Sequence, residues 1–210
     1  MRNENREHAL VQPANSLHTA SDPDDAVDQL RAAYDLTPYC SNSFPQSAPG
    51  QLAAIAHLFG LEAPEVATSR VVEIGCAAGG NLIPFAAAHP QARVVGVDLS
   101  QVQIDHGRRR VQALNLDNLR LIAGDIARMN LAELGQFDFV IAHGVYSWVP
   151  TEVQEALLSA FRRLLVPEGI TYISYNVYPG WKSKRSCAMP CCSPAAPARP
   201  RRRRCATRGA

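Results

Sequence analysis

Between residues 71 and 175, short apolar runs alternate with segments that have the spacing of helices. Apolar runs bounded by Gly, Asp or Asn are typical of buried strands, and the segments between them are long enough for crossover helices. This order predicts a doubly wound α/β fold with a mainly parallel sheet. The predicted strands are Val71–Ile74, Val94–Val97, Leu119–Ala123, Phe137–Ala142 and Ile170–Tyr175, and the predicted helices are Asn81–Ala88, Gln101–Leu114, Ala127–Leu134 and Glu152–Leu165.

The residues before this alternation predict a smaller N-terminal segment. Residues 1–25 are polar and without periodicity, which predicts a disordered lead-in. A short helix is predicted over residues 24–36, and a second over residues 51–61 that is closed by Gly60. The stretch between them is rich in proline and aromatic residues, and it predicts a loop with apolar anchors.

Composition narrows the class of protein. The chain of 210 residues is 47% hydrophobic and 19% charged, as in a globular protein with one domain. We find no apolar run near the roughly 18–20 residues that a membrane span needs. The charged N-terminus leads into no apolar signal segment, so we expect a cytoplasmic protein without a membrane span.

The first predicted strand runs into a glycine-rich turn, V-V-E-I-G-C-A-A-G-G-N over residues 71–81. Gly75 permits a sharp turn, and Gly79 and Gly80 permit the backbone to approach a ligand closely. A purely structural tight turn is the alternative interpretation of these glycines.

Acidic residues follow the second and third predicted strands. Asp98 lies twenty-three residues after Gly75, where a carboxylate reaches the hydroxyls of a ribose. Its alternative role is to cap the next helix, although Ser100 is able to do this instead. Asp125, followed by Ile126, suits an adenine that is hydrogen-bonded on one edge and covered on one face. The glycine turn and Asp98 together favour a nucleoside cofactor.

The fourth strand delivers His143, Tyr146 and Trp148 to the same sheet edge, because parallel strands end together. A single histidine at a strand end is more often structural than catalytic. The aromatic residues beside it favour a functional role.

These residues resemble class I S-adenosylmethionine-dependent methyltransferases, which have a Rossmann-like fold. More narrowly, the chain looks like a bacterial group of methyltransferases that carries a C-terminal methyltransferase regulatory domain and includes protein-lysine methyltransferases. The motifs that carry this resemblance are Y-D-L-T-P-Y, F-P-Q, G-G-N-L-I-P, I-A-H-G-V-Y-S-W-V-P and Y-N-V-Y-P-G-W. The resemblance runs from Tyr34 to Trp181. It implies a methyltransferase domain over residues 26–181, in which residues 34–46 fold over the cofactor as a lid.

The resemblance also implies the site residues. Those around the methionine part, the ribose and the adenine of S-adenosylmethionine are Glu73, Gly75, Cys76, Ala77, Gly79, Asn81, Asp98, Leu99, Asp125, Ile126 and His143. Ala77 departs from the family, which often has glycine there, and alanine predicts an ordinary negative φ. Candidate bases for a protonated acceptor are His143, Tyr146 and Tyr175. No metal is expected, and the acceptor stays open between a protein lysine and a small molecule.

A dinucleotide is the alternative ligand. Dinucleotide enzymes use G-x-G-x-x-G because a pyrophosphate sits on the helix N-terminus. Here Ala77 replaces the second glycine, and Glu73 places an acid at the strand end. An acid repels a phosphate and attracts a sulfonium or an amine, which favours the methyl donor.

The last 29 residues differ from the rest of the chain in composition and charge. Residues 182–210 contain nine basic residues and no acidic ones, so the rest of the chain is net negative. A nucleic-acid-binding arm and a solvated disordered tail are possible interpretations. The four cysteines of the tail lack the spacing of a zinc site. We favour a frameshift and expect no nucleic-acid partner, because Arg, Pro, Ala and Cys together are what GC-rich DNA encodes out of frame.

A frameshift at this point predicts a truncated domain. The fold would lack its last strands, which leaves Ile170–Tyr175 as an apolar sheet edge and predicts a poorly soluble, weakly active chain. The alternative function is therefore a non-catalytic remnant that at most binds the cofactor.

Overall fold

The computed structural model of the chain describes residues 23–37 and 41–177. Of these, the residues up to Tyr175 form one compact unit, and residues 176–177 belong to a second. The helices are α1 (Pro23–Leu36), α2 (Pro49–Leu58), α3 (Leu82–Ala88), α4 (Gln101–Ala113) and α5 (Thr151–Leu164), and the strands are β1 (Arg70–Ile74), β2 (Arg93–Asp98), β3 (Leu119–Ala123), β4 (Phe137–Ala142) and β5 (Leu165–Ile173).

The five strands form one parallel sheet in the order β3-β2-β1-β4-β5. Successive side chains of a strand point to opposite faces, so Val71 packs with α2, α3 and α4, whereas Val72 packs with α5. Helices therefore cover both faces. The predicted doubly wound, Rossmann-like α/β fold is confirmed, and the carboxyl ends of all five strands lie at one edge of the sheet.

One predicted helix is wrong. Residues 127–134 form no helix beyond the three-residue 3-10 turn Leu131–Glu133. Side chains interrupt the helix, since Asp125 Oδ1 accepts from Ala127 N at 2.9 Å and Asn130 Oδ1 accepts from Ala132 N at 3.2 Å. The predicted disordered lead-in also extends too far, because residues 23–25 belong to α1.

Strand β5 begins five residues earlier than predicted and includes the sequence Pro-Glu-Gly over residues 167–169. Its pairing with β4 shifts between Leu165 and Ile170, which makes this stretch a bulge. Pro167 has no N–H for a ladder, and a bulge on an edge strand tolerates that. Within the described residues β5 pairs with β4 alone, so it lies at the predicted edge of the sheet. Its side chains are less exposed than predicted, because Ile170 and Tyr172 are half-buried against the core.

Residues 1–22 and 178–210 lie outside the described residues, so the predicted lead-in over residues 1–22 and the predicted frameshifted tail stay predictions. Across residues 23–37 and 41–177, no helix has the length and apolar character needed to cross a membrane.

Candidate functional site

A pocket lies at the carboxyl ends of β1 to β4, and α1 forms one of its walls. All predicted cofactor residues except Gly79 line it. These are Glu73, Gly75, Cys76, Ala77, Asn81, Asp98, Leu99, Asp125, Ile126 and His143. Residues at the ends of four strands, β1 to β4, thus meet in one place, which is what a parallel sheet produces.

The turn after β1 is held by backbone hydrogen bonds. The N–H groups of Gly75 and Cys76 both donate to the carbonyl of Val97, at 2.7 and 3.1 Å. Gly75 has a φ of +76°, and a Cβ there would collide with Val145. The position therefore requires glycine for both its backbone angle and its space. Cys76 lines the pocket, but its thiol packs over Gly96 in the core, where burial raises its pKa.

Ala77 contradicts its prediction, because its φ is +49° rather than negative. Its N–H donates to Asp98 Oδ2 at 2.7 Å, and this hydrogen bond holds the residue in the left-handed region. An alanine there costs roughly 1–2 kcal/mol relative to right-handed backbone. The turn therefore keeps the shape of a glycine turn at the expense of local strain.

We expect Ala77→Gly to raise the free energy of unfolding by about 0.5–1 kcal/mol, because glycine removes the strain but is more flexible when unfolded. Denaturant unfolding measures the change. Ala54→Gly, at an exposed position inside α2, is the control and should lower stability by about 1 kcal/mol. Equal destabilisation by both substitutions would show that Ala77 has ordinary backbone geometry.

Gly79 and Gly80 have a different role from the one predicted. A Cβ on Gly79 would lie 3.3 Å from Leu121 in the core, and Gly79 does not line the pocket. Gly80 faces the backbone of Ser41 and donates its N–H to Ser41 Oγ at 2.7 Å. These glycines permit close packing against the protein itself rather than against a ligand.

Asp98 ends β2 with both carboxylate oxygens hydrogen-bonded. Oδ2 accepts from Ala77 N, and Oδ1 accepts from Ser100 N at 2.9 Å. Burial raises the pKa of Asp98, and the hydrogen bonds from these backbone N–H groups oppose that effect. Ser100 caps α4, since its Oγ accepts from Gln103 N at 3.2 Å. The capping role is thus filled by Ser100, and Asp98 remains at the pocket wall.

Glu73 is buried at the end of β1, with 2% of its surface exposed. Its Oε1 accepts from Asn81 Nδ2 at 3.0 Å, whereas its buried Oε2 has no hydrogen-bond partner. Burial raises the pKa of Glu73 to about 7, although the hydrogen bond from Asn81 acts in the opposite direction. A buried carboxylate oxygen without a donor is costly, so this site suits a ligand that brings a donor or a positive charge.

Asp125 and Ile126 follow β3 and line the same pocket. Asp125 Oδ1 is engaged by the N–H of Ala127, whereas Oδ2 makes no hydrogen bond and lies 3.5 Å from Arg128 Nε. Ile126 is buried against the core formed with α5. An acceptor oxygen beside a fixed apolar side chain is the combination predicted for an adenine.

His143 lies at the end of β4 between two aromatic rings. Its ring stacks on Phe44 with centroids 3.9 Å apart and lies nearly parallel to Tyr172 at 6.0 Å. Burial lowers the pKa of His143, so the imidazole is neutral at pH 7. Its buried Nδ1 has no hydrogen-bond partner. The arrangement leaves a ring nitrogen of a neutral imidazole without a partner inside the pocket.

Tyr146 and Tyr175, the other candidate bases, do not line the pocket. They form an edge-to-face pair with ring centroids 6.3 Å apart, and 62% of Tyr175 is exposed. The structure therefore brings His143 to the predicted cofactor residues and leaves these two tyrosines beside the pocket.

The N-terminal segment contributes more of the pocket than the sequence indicates. The predicted lid, of which residues 38–40 lie outside the described residues, lines the pocket. The lining residues of the lid are Tyr34, Ser41, Asn42 and Phe44. Val27 and Leu30 of α1 line it too, and their spacing on one helix face was the available signal. We find no sequence signal for the contacts of Ser41, Asn42 and the buried Ser47.

Comparison with known proteins finds a matching protein family, similar sequences and a similar solved structure. Residues 71–169 match a protein family described as a methyltransferase domain. Two uncharacterized proteins of Rickettsia prowazekii (strain Madrid E) are similar to the chain. RP789 is 46% identical over 153 residues, which cover 73% of this chain and 28% of RP789. RP028 is 40% identical over 156 residues, which cover 74% of this chain and 62% of RP028.

The solved structure of PKMT2 from Rickettsia typhi in complex with AdoHcy (S-adenosylhomocysteine) is also similar. It has a TM-score of 0.67 and 40% sequence identity, and the match covers 71% of this chain and 28% of that one. The chain thus spans less than two thirds of the length of each of these relatives.

Proposed function

Because the chain belongs to the class I S-adenosylmethionine-dependent methyltransferases, we propose that it transfers a methyl group from S-adenosylmethionine to an amine, with protein lysine as the acceptor. The observation that carries this proposal is that three buried polar atoms without hydrogen-bond partners all belong to residues of one pocket. They are Glu73 Oε2, Asp125 Oδ2 and His143 Nδ1.

Two of these atoms, Glu73 Oε2 and Asp125 Oδ2, fit groups of S-adenosylmethionine in their chemistry. The carboxylate of Glu73 suits the positively charged methionine part, and Asp125 Oδ2 suits the amino group of the adenine. Asp98 is expected to hold the ribose hydroxyls, because each of its oxygens has a further lone pair beyond the one that a backbone N–H occupies. A pyrophosphate would place negative charge near Glu73 and Asp98, which disfavours a dinucleotide.

His143 is the base that we assign to the reaction. S-adenosylmethionine supplies a methyl group already activated on a sulfonium sulfur, so the protein must align the acceptor and exclude water. A lysine acceptor arrives protonated and must lose a proton before its nitrogen attacks the methyl carbon. The neutral Nδ1 of His143 receives this proton, and the rings of Phe44 and Tyr172 keep water from its two faces.

Protein lysine as the acceptor is supported by the similarity to PKMT2 from Rickettsia typhi and by the motifs that resemble the bacterial group with protein-lysine methyltransferases. The test incubates the full chain with tritium-labelled S-adenosylmethionine and bacterial protein extract. We expect label in acid-precipitable protein, recovered as methylated lysine. Label only in small molecules would refute the lysine acceptor, and cofactor binding without any transfer would identify a non-catalytic remnant.

His143→Phe tests the base, because it keeps a ring between Phe44 and Tyr172 but removes the nitrogen. We expect kcat to fall about a hundredfold at pH 7, within the range of general base catalysis. The KM for S-adenosylmethionine should change much less. Raising the pH should partly restore the rate, because more of the acceptor is then deprotonated in solution. An unchanged kcat would assign the base elsewhere.

A further inference from the structure

The turn at residues 44–47 places a fully buried serine next to a predicted cofactor residue. The hydroxyl of Ser47 donates to the carbonyl of Phe44 at 2.9 Å and accepts from Asn81 Nδ2 at 3.1 Å. The two hydrogen bonds use its proton and one of its lone pairs. The direction of each is fixed, since a carbonyl only accepts.

The Asn81 side chain has one possible orientation. Its Oδ1 accepts from the backbone N–H of Phe44 at 3.0 Å, and a backbone N–H is only a donor. The amide nitrogen must therefore face the other way, where its two protons go to Ser47 Oγ and Glu73 Oε1. Both protons of this amide and one lone pair of its oxygen are thus engaged.

The amide in turn restrains Glu73. One carboxylate oxygen is held by Asn81, and the other is left buried in the pocket without a hydrogen-bond partner. Ser47, Asn81 and Glu73 thus form a directed chain of hydrogen bonds that leads from the N-terminal segment to the carboxylate.

We propose that Ser47 is a positioning residue, whose hydroxyl acts through the Asn81 amide to hold the Glu73 carboxylate toward the positively charged part of S-adenosylmethionine. The inference rests on the proposed function. Without the hydroxyl, one amide proton of Asn81 has no acceptor, and the amide is free to turn away from Glu73. The ionised carboxylate then loses part of its stabilisation.

Two titratable groups interact electrostatically with Glu73: Asp98 at the end of β2 repels the carboxylate, and the Cys76 thiol is kept neutral by burial. A third, His143 at the end of β4, lines the same pocket and is neutral above its lowered pKa. A Ser47 variant retains all three groups. A difference between the pH profiles of the variant and the wild type therefore reports on Glu73.

The experiment titrates S-adenosylmethionine into the full-length wild type and into Ser47→Ala by calorimetry between pH 6 and pH 7.5, where an α-amino group stays mostly protonated. We expect affinity at pH 7 to fall about tenfold, as for loss of one hydrogen bond to a charged group. The midpoint of the pH profile should move upward, so that the two proteins differ less at pH 7.5 than at pH 6.5. An equal loss at every pH would overturn the proposal, because a merely structural defect behaves in that way.

Ser69→Ala is the matched control. Ser69 is also buried and donates to the carbonyl of Val66, three residues earlier, at 2.9 Å, but it lies at the start of β1 opposite the pocket. We expect a similar loss of thermal stability and no change in affinity. If Ser47→Ala fails to fold, Ser47→Cys places a weaker acceptor at the same position in a slightly larger side chain and should show the same upward shift on a smaller scale.

A double-mutant cycle completes the test. In a Glu73→Gln background, Ser47→Ala should change affinity less than twofold, because no carboxylate remains to be positioned. An undiminished effect in that background would overturn the proposal. Failure of the wild type to bind S-adenosylmethionine would refute the proposed function itself, whereas binding that Ser47→Ala leaves unchanged at all pH values would refute only this inference.

Discussion

Asp98→Ala is expected to weaken the binding of S-adenosylmethionine at least a hundredfold. In our account the carboxylate makes two charged hydrogen bonds to the ribose, each worth about 1.5–3 kcal/mol, and a hundredfold corresponds to about 2.7 kcal/mol. The same carboxylate holds the N–H groups of Ala77 and Ser100, so its removal also loosens the turn after β1.

Fluorescence or calorimetric titration measures this loss. Asp98→Asn retains one acceptor oxygen and should fall between the alanine variant and the wild type. Asp117→Ala, at an exposed position in the turn before β3, is the control and should bind normally. A dissociation constant for Asp98→Ala within threefold of the wild-type value would remove Asp98 from the cofactor site.

Glu73→Gln is expected to have the second-largest effect, a loss of roughly thirtyfold to a hundredfold at pH 7.5, or about 2–3 kcal/mol. The substitution keeps the size of the side chain and removes its charge. In the wild type, affinity should rise roughly eightfold from pH 6 to pH 7.5, because a group whose pKa is about 7 becomes ionised over that range. The variant should lack this dependence.

The folding stability of the wild type should fall as the pH rises, whereas its affinity for S-adenosylmethionine should increase. The pKa of Glu73 is higher in the folded chain than in an unfolded one, so ionising this residue costs stability as the pH rises from about 4.5 through 7. Glu73→Gln should therefore be no less stable than the wild type at pH 8. Glu168→Gln, exposed on β5, is the control for both measurements. Persistence of the pH dependence in Glu73→Gln would assign it to another group.

The sheet is predictable from the sequence because its strands are buried on both faces. Val71 and Val72 face opposite layers of helix, and such a strand appears as an uninterrupted apolar run. Residues 127–134 were not predictable in this way. Their apolar residues have helical spacing, but the side chains of Asp125 and Asn130 capture the backbone N–H groups that a helix would use.

The strand-end part of the site was predictable for a similar reason, since parallel order alone brings Glu73, Asp98 and His143 to one edge. The backbone of Ala77 was not, because its positive φ follows from the hydrogen bond to Asp98, which has no local sequence signal. The contacts of Phe44 and Ser47 were also hidden, because they join residues more than thirty positions apart.

Several sequence predictions extend beyond residues 23–37 and 41–177. Membership of the group that carries a C-terminal regulatory domain, the frameshifted tail over residues 182–210 and the truncated sheet stay predictions. The nucleotide sequence of the gene around codon 182 tests the frameshift directly.

The central claim is that the pocket bounded by Glu73 and Asp98 accepts a positively charged sulfur nucleoside and rejects a nucleotide that carries phosphates. Calorimetric titration of the full chain with S-adenosylmethionine and, separately, with NAD at pH 7.5 tests it most directly. The account predicts saturable binding of one S-adenosylmethionine per chain and no heat of binding for NAD. Binding of NAD by a folded chain that ignores S-adenosylmethionine would contradict it.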